Sequence, residues 1–128
     1  MESIVTVRDD QRSLTLTVPA DRTMVVILRL MARGATTLAD LPMDDIEALE
    51  LAVSEAAALL LPLASSGGEL TMHIRFAQRV WISMTIDAID PGAVLDQGDL
   101  PWHTLQQLDP HATTARDLMT VSVEFSRG

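Results

Sequence analysis

The 128-residue chain contains no cysteine and no lysine. Without cysteine there is no disulfide, no thiol nucleophile and no Cys-ligated zinc. Without lysine, all nine basic residues are arginines, set against 18 acidic ones, for a formal net charge of -9. That balance argues against nucleic acid as a direct partner, because neutralising phosphates needs a basic footprint. His73, His103 and His111 are scattered without metal-ligand spacing, so no metal is expected. The first twenty residues alternate polar and apolar and lack the apolar core of a signal peptide, and no apolar run approaches a membrane span. The expectation is a soluble, cytoplasmic protein with no membrane contact. Internal repeats and low-complexity linkers are absent too.

What is present is core material: 48% of the residues are hydrophobic. At this length that suits one domain, residues 1–128, and is too little for two. "SIVTVRDDQRSLTLTV" alternates with period two on both sides of a polar "RDDQR", the pattern of a β-hairpin with one buried face. From "PADR" the period changes: Asp21 can cap a helix through "RTMVVILRLMAR", and Gly34 stands where that helix should stop. A second helix is predicted from Pro42, with Asp44 and Asp45 at the positive end of its dipole. Its core stripe is Ile46, Leu49, Val53, Ala56, Leu60 and Leu63, and Pro62 should end or kink it. "ELTMHIRFAQRVWISMTID" reads as a second hairpin, "PWHTLQQL" as a short helix and "LMTVSVEFS" as one closing strand. The order β-β-α-α-β-β-loop-α-β predicts an α+β two-layer sandwich, helices on one face of a largely antiparallel sheet.

The stretch "LTLTVPADRTMVVILRLMARGATTLADLPMDDIEALELAVSEA" resembles the first half of the RsbW-type anti-sigma factors, small serine kinases with the GHKL (Bergerat) ATPase fold. "GDLPWHTLQQL" followed by a final strand is similar to divergent actinobacterial members of that family. In the family the helix carrying "SEA" holds a Glu that activates the substrate serine and, one turn later, an Asn that holds magnesium. Glu55 takes the first place, but Leu59 takes the second and has no oxygen ligand for a hard cation. The adenine box falls near "TIDAIDPG", where Asp87 is kept while the glycine positions read Ile89 and Pro91. No glycine-rich phosphate box follows Gly98. Glu55, Leu59 and Asp87 are thus degenerate nucleotide positions. Glu55 is a relic or a polar contact, Asp87 is more a loop cap than an adenine ligand, and Ser54 is a solvated helix residue. No cofactor is expected.

At about 100° per residue, Arg22, Val26, Arg29 and Arg33 fall along one strip of the first helix, bordered by Val25. The strip is either a solvated face or a basic stripe that orients an acidic partner. In the family this helix contacts the sigma factor and its antagonist, and counting backward from "VSEA" places Arg29 on the contacting arginine. The Glu found one turn earlier in the family is Val25 here. On the second helix, Leu51, Ala58, Leu59 and Pro62 surround Glu55. They imply either a pocket filled by side chains, the preferred reading, or a patch covered by another protein. The resemblance implies an anti-sigma factor that sequesters a sigma factor without kinase activity and forms a homodimer when free. An active serine kinase acting on a STAS-domain anti-anti-sigma factor is the alternative.

Overall fold

The computed structural model describes residues 4–8, 12–87 and 95–128. In chain order the elements are β1 (Ile4–Arg8), β2 (Ser13–Pro19), α1 (Val25–Leu38), α2 (Met43–Leu60), β3 (Glu69–Phe76), β4 (Val80–Asp87), α3 (Leu100–Leu108), β5 (Thr113–Asp117) and β6 (Thr120–Arg127). The strands form a sheet of order β1-β2-β3-β4-β6-β5, and every neighbouring pair is antiparallel. Helices pack against one face, so the α+β two-layer architecture is present.

Period-two patterning places the core. Leu70, Met72, Ile74 and Phe76 of β3 are buried, as are Val80, Ile82, Met84 and Ile86 of β4, while the residues between them point to the other face. Each such burial is worth about 1.5–3 kcal/mol, so a one-residue slip in register, which would expose the whole set, is strongly disfavoured. From α2 come Ile46, Leu49, Val53, Ala56 and Leu60, all buried, whereas Leu63 is only partly buried. Pro42 caps α2 at φ -60°, and Asp44 and Asp45 lie in its first turn. Asp45 Oδ1 also accepts from Arg127 Nε at 2.9 Å, and the same guanidinium donates to the Leu108 carbonyl at 3.0 Å. One arginine therefore ties the last strand to both α2 and α3. Pro62 falls in a 3-10 turn, Leu61–Leu63, immediately after α2.

One expectation fails, and one strand goes beyond those expected. Gly34 does not stop the first helix; α1 continues for another turn to Leu38. The ending is at Asp40, which adopts the left-handed conformation at φ 61°. The Asp40 N–H donates to the Thr37 carbonyl at 3.0 Å and the Leu41 N–H to the Thr36 carbonyl at 3.2 Å, the double closure of a Schellman motif. The expected closing strand is present as β6, beginning at Thr120, but a further strand that the sequence did not suggest, β5, precedes it. β5 and β6 form a hairpin around Leu118 and Met119, in which β5 occupies the sheet edge.

Candidate docking site

Asp21 opens the site. Its Oδ1 accepts the Thr23 N–H at 3.0 Å and caps a 3-10 turn, Arg22–Met24, that leads into α1. Leu28, Ala32, Ala35 and Thr36 form the buried face of α1, and its small side chains let α1 lie close against α2. Thr36 costs little there, because its hydroxyl donates to the Ala32 and Arg33 carbonyls at 2.9 and 3.0 Å.

Every arginine of the expected strip is exposed, together with Val26, and Val25 is half-buried beside them. Arg33 forms an ion pair with Glu50 of α2. Arg22 and Arg29 make no hydrogen bond or ion pair among the described residues. Two of the three charges are therefore free to meet a partner.

The strip is one side of a wider surface. Next to the arginines, Val26, Ile27, Leu30 and Leu38 are exposed, Leu30 to 62%, and an added Cβ at Gly34 would meet nothing within 4 Å. Val26, Leu30, Gly34 and Leu38 follow one another at four-residue intervals, so the outward face of α1 carries an apolar ridge with a notch at the glycine. Sequence reasoning followed the charges and passed over this ridge. The signal was available in the same helical spacing, since apolar residues fall on more than one side of α1 and only one side can face the sheet.

Beside the first turn of α1 the surface opens into a groove of about 1010 Å³. Arg22 and Val25 line it from one side, Ser54 and Ala58 from α2, Pro62 from the turn after it, and Glu69 from the start of β3. The expected side-chain-filled pocket is therefore not found on this flank: Ala58 and Pro62 border open space, and Leu51 is exposed. Leu59 is the exception. Only 6% exposed, it belongs to the hydrophobic core of the domain. The position at which a kinase of this kind would carry its metal ligand is thus part of the hydrophobic core.

The other positions expected of a nucleotide site are equally dispersed. Glu55 is partly exposed and has no partner among the described residues, and Ser54 Oγ donates back to the Glu50 carbonyl at 3.3 Å. Asp87 closes a turn: its carbonyl accepts the Ser65 N–H at 2.8 Å and its Oδ2 the Glu69 N–H at 3.4 Å. Ile89 and Pro91 lie outside the described residues. Among the described residues no group of acidic residues and histidines could hold a metal ion, and no helix is long and apolar enough to cross a membrane. The chain matches no model of a known protein family, and no curated protein matches it.

Proposed function

We propose that the protein is an anti-sigma factor of the GHKL-like type, holding an alternative sigma factor away from RNA polymerase core by stoichiometric binding in the cytoplasm. The observation that carries this reading is the outward face of α1, where unpaired Arg29 stands beside exposed Val26 and Leu30. An exposed apolar ridge of this kind is an interaction surface. Arginines at its margin select and orient an acidic segment, on a body whose net charge of -9 would otherwise repel one. The resemblance of the N-terminal half to RsbW-type proteins supplies the sigma factor as that segment's source and a STAS-domain protein as a possible antagonist. It also supplies the expectation of a homodimer when the protein is free.

Core placement of Leu59 favours a binding module over a serine kinase, since a buried leucine offers no ligand to a magnesium-nucleotide. Two measurements test the reading together. Purified protein should form a stable complex with one alternative sigma factor of its own cell that excludes core polymerase. Calorimetric titration with millimolar Mg-ATP should give no saturable heat. A micromolar Mg-ATP affinity would overturn the non-catalytic reading in favour of the kinase, and failure to hold any sigma factor would overturn the anti-sigma reading itself.

A further inference from the structure

The groove beside α1 is open because small residues line it. Ala20, Ser54 and Ala58 stand where larger side chains would fill it, and Gly67 and Gly68 give one wall to bare backbone. Gly67 adopts φ 73°, and a Cβ added to Gly68 would come within 2.9 Å of the Ser65 carbonyl oxygen, so neither position readily takes a side chain. Hydrogen bonds hold the same wall: the Gly68 carbonyl accepts the Ala20 N–H at 2.9 Å, and the Gly68 N–H donates to the Ser65 carbonyl at 2.8 Å. The end of β2 and the start of β3 are thereby tied together, and the groove is preformed, as ligand sites usually are.

Most of its lining is apolar. Val25, Ala58, Leu61 and Pro62 face it, and none of them is fully buried. The charges on it are Asp21, Glu69 and Arg22, two carboxylates against one cation, all exposed. One Asp21 oxygen is occupied by the Thr23 N–H, whereas the Glu69 carboxylate has no hydrogen bond or ion pair among the described residues. A segment lying in the groove therefore meets apolar surface together with an unpaired carboxylate, the reverse of the charge that α1 presents at Arg29.

We propose that the groove is an anchor site for a polypeptide segment carrying a large apolar side chain beside a lysine or arginine, and that this segment belongs to the partner held on α1. The source of the segment rests on the docking role proposed for α1, while the chemistry of the groove is its own. The apolar side chain displaces water from Val25, Ala58, Leu61 and Pro62, and its basic neighbour meets Glu69, with Asp21 nearby. Two carboxylates to one arginine turn away a purely acidic segment. Continuity of the surface supplies the occupant: Val25 lines the groove and adjoins Val26 of the ridge, and Arg22 belongs to both, so a partner laid along α1 reaches the groove without a break. Arg29 lies seven residues beyond Arg22, roughly 10 Å along the helix. The acidic residue that Arg29 selects and the apolar–basic anchor are therefore about two helical turns apart on the partner.

Panning a phage library of random peptides on immobilised wild-type protein tests the groove, with the enriched peptides synthesised and titrated by fluorescence anisotropy against three variants. Ala58→Trp fills the groove, Glu69→Lys reverses its unpaired carboxylate, and Arg29→Glu lies outside it. All three change exposed residues, so their circular dichroism spectra should match that of the wild type. Enriched peptides should place a large apolar residue within four positions of Lys or Arg. Their affinity should fall at least about tenfold on Ala58→Trp, which shuts the apolar side chain out, and about threefold on Glu69→Lys, where the pair is exposed. Arg29→Glu should leave it unchanged. No enriched peptide, equal binding to Ala58→Trp or Glu69→Lys, or an acidic consensus lost on Arg29→Glu would each overturn the proposal. Ala58→Trp should also weaken the complex with the sigma factor at least about tenfold, and an unchanged complex would overturn the proposal while leaving the reading of α1 intact. Failure of that reading shows differently, as an Arg29→Glu protein that holds the sigma factor at wild-type affinity.

Discussion

Asp40 and Gly34 divide between them the task that the sequence suggests for Gly34 alone. Glycine is the usual residue at a left-handed helix end because it lacks the Cβ that crowds that conformation, yet here the left-handed residue is Asp40 at φ 61°. Gly34 instead spends its backbone entropy inside a helix with open space around it. Asp40→Gly should therefore stabilise the fold by about 0.5–1 kcal/mol, removing both the strained φ and a negative charge at the negative end of the helix dipole. Gly34→Ala should stabilise by about 0.4–1 kcal/mol, chiefly by restricting the unfolded chain. Both are read as an increased urea midpoint at unchanged slope. A fall in midpoint for Gly34→Ala would contradict the helical placement of that residue. The error in reading the helix end is instructive: a glycine one turn early looks like a stop, while an Asp three residues after two threonines looks like an ordinary loop.

Among the elements, α2 was the most legible and also the most misjudged on one flank. Its start at Pro42 and its stripe from Ile46 to Leu60 follow from spacing alone, because one helix face against one sheet needs only a single periodicity. Where its other flank points depends on α3, whose docking no local pattern reveals. Leu59, expected to look outward with Glu55, is buried, while Ala58 one residue earlier borders the groove. Placing at Leu59 the asparagine that the resemblance to RsbW-type kinases would put there, Leu59→Asn, should therefore destabilise the protein by about 2–4 kcal/mol, through lost apolar contact and a buried amide. It should bring no Mg-ATP binding with it. A variant of wild-type stability that binds Mg-ATP would show that Leu59 faces a nucleotide pocket after all. The β5–β6 hairpin was missed for a related reason: its turn residues, Leu118 and Met119, carry none of the glycine or asparagine that marks a tight turn, and Leu118 is 82% exposed. Asp109, by contrast, joins elements that sequence alone keeps apart. Its carboxylate accepts the His111 and Ser126 N–H groups at 2.9 and 2.8 Å, so Asp109→Ala should cost about 1–3 kcal/mol by removing two hydrogen bonds at once. A shift in melting midpoint reports it, and no shift would show that water replaces the carboxylate.

At the scale of the whole molecule, the nine arginines are too few to neutralise the surface, and their placement matters more than their number. Arg127 locks three elements together, Arg75 stacks on Trp81 and Arg79 donates to Ser126 on the sheet, and Arg22 and Arg29 have no partner among the described residues on the helical side. The strip on α1 was legible because helical spacing and residue type suffice to draw it. Its pairing was not, since Glu50 meets Arg33 only after two helices pack. The most direct measurement of the central claim is capture from native cell extract on immobilised wild-type and Arg29→Glu protein side by side, read by quantitative mass spectrometry. Arg29 is exposed, so its reversal should change stability by less than about 0.5 kcal/mol. Losing a hydrogen-bonded charge pair at a contact costs about 2–5 kcal/mol, at least roughly thirtyfold in affinity. The expected result is one alternative sigma factor enriched on the wild type and depleted at least about thirtyfold on the folded variant. Equal recovery of that sigma factor on both proteins, or no sigma factor on either, would contradict it.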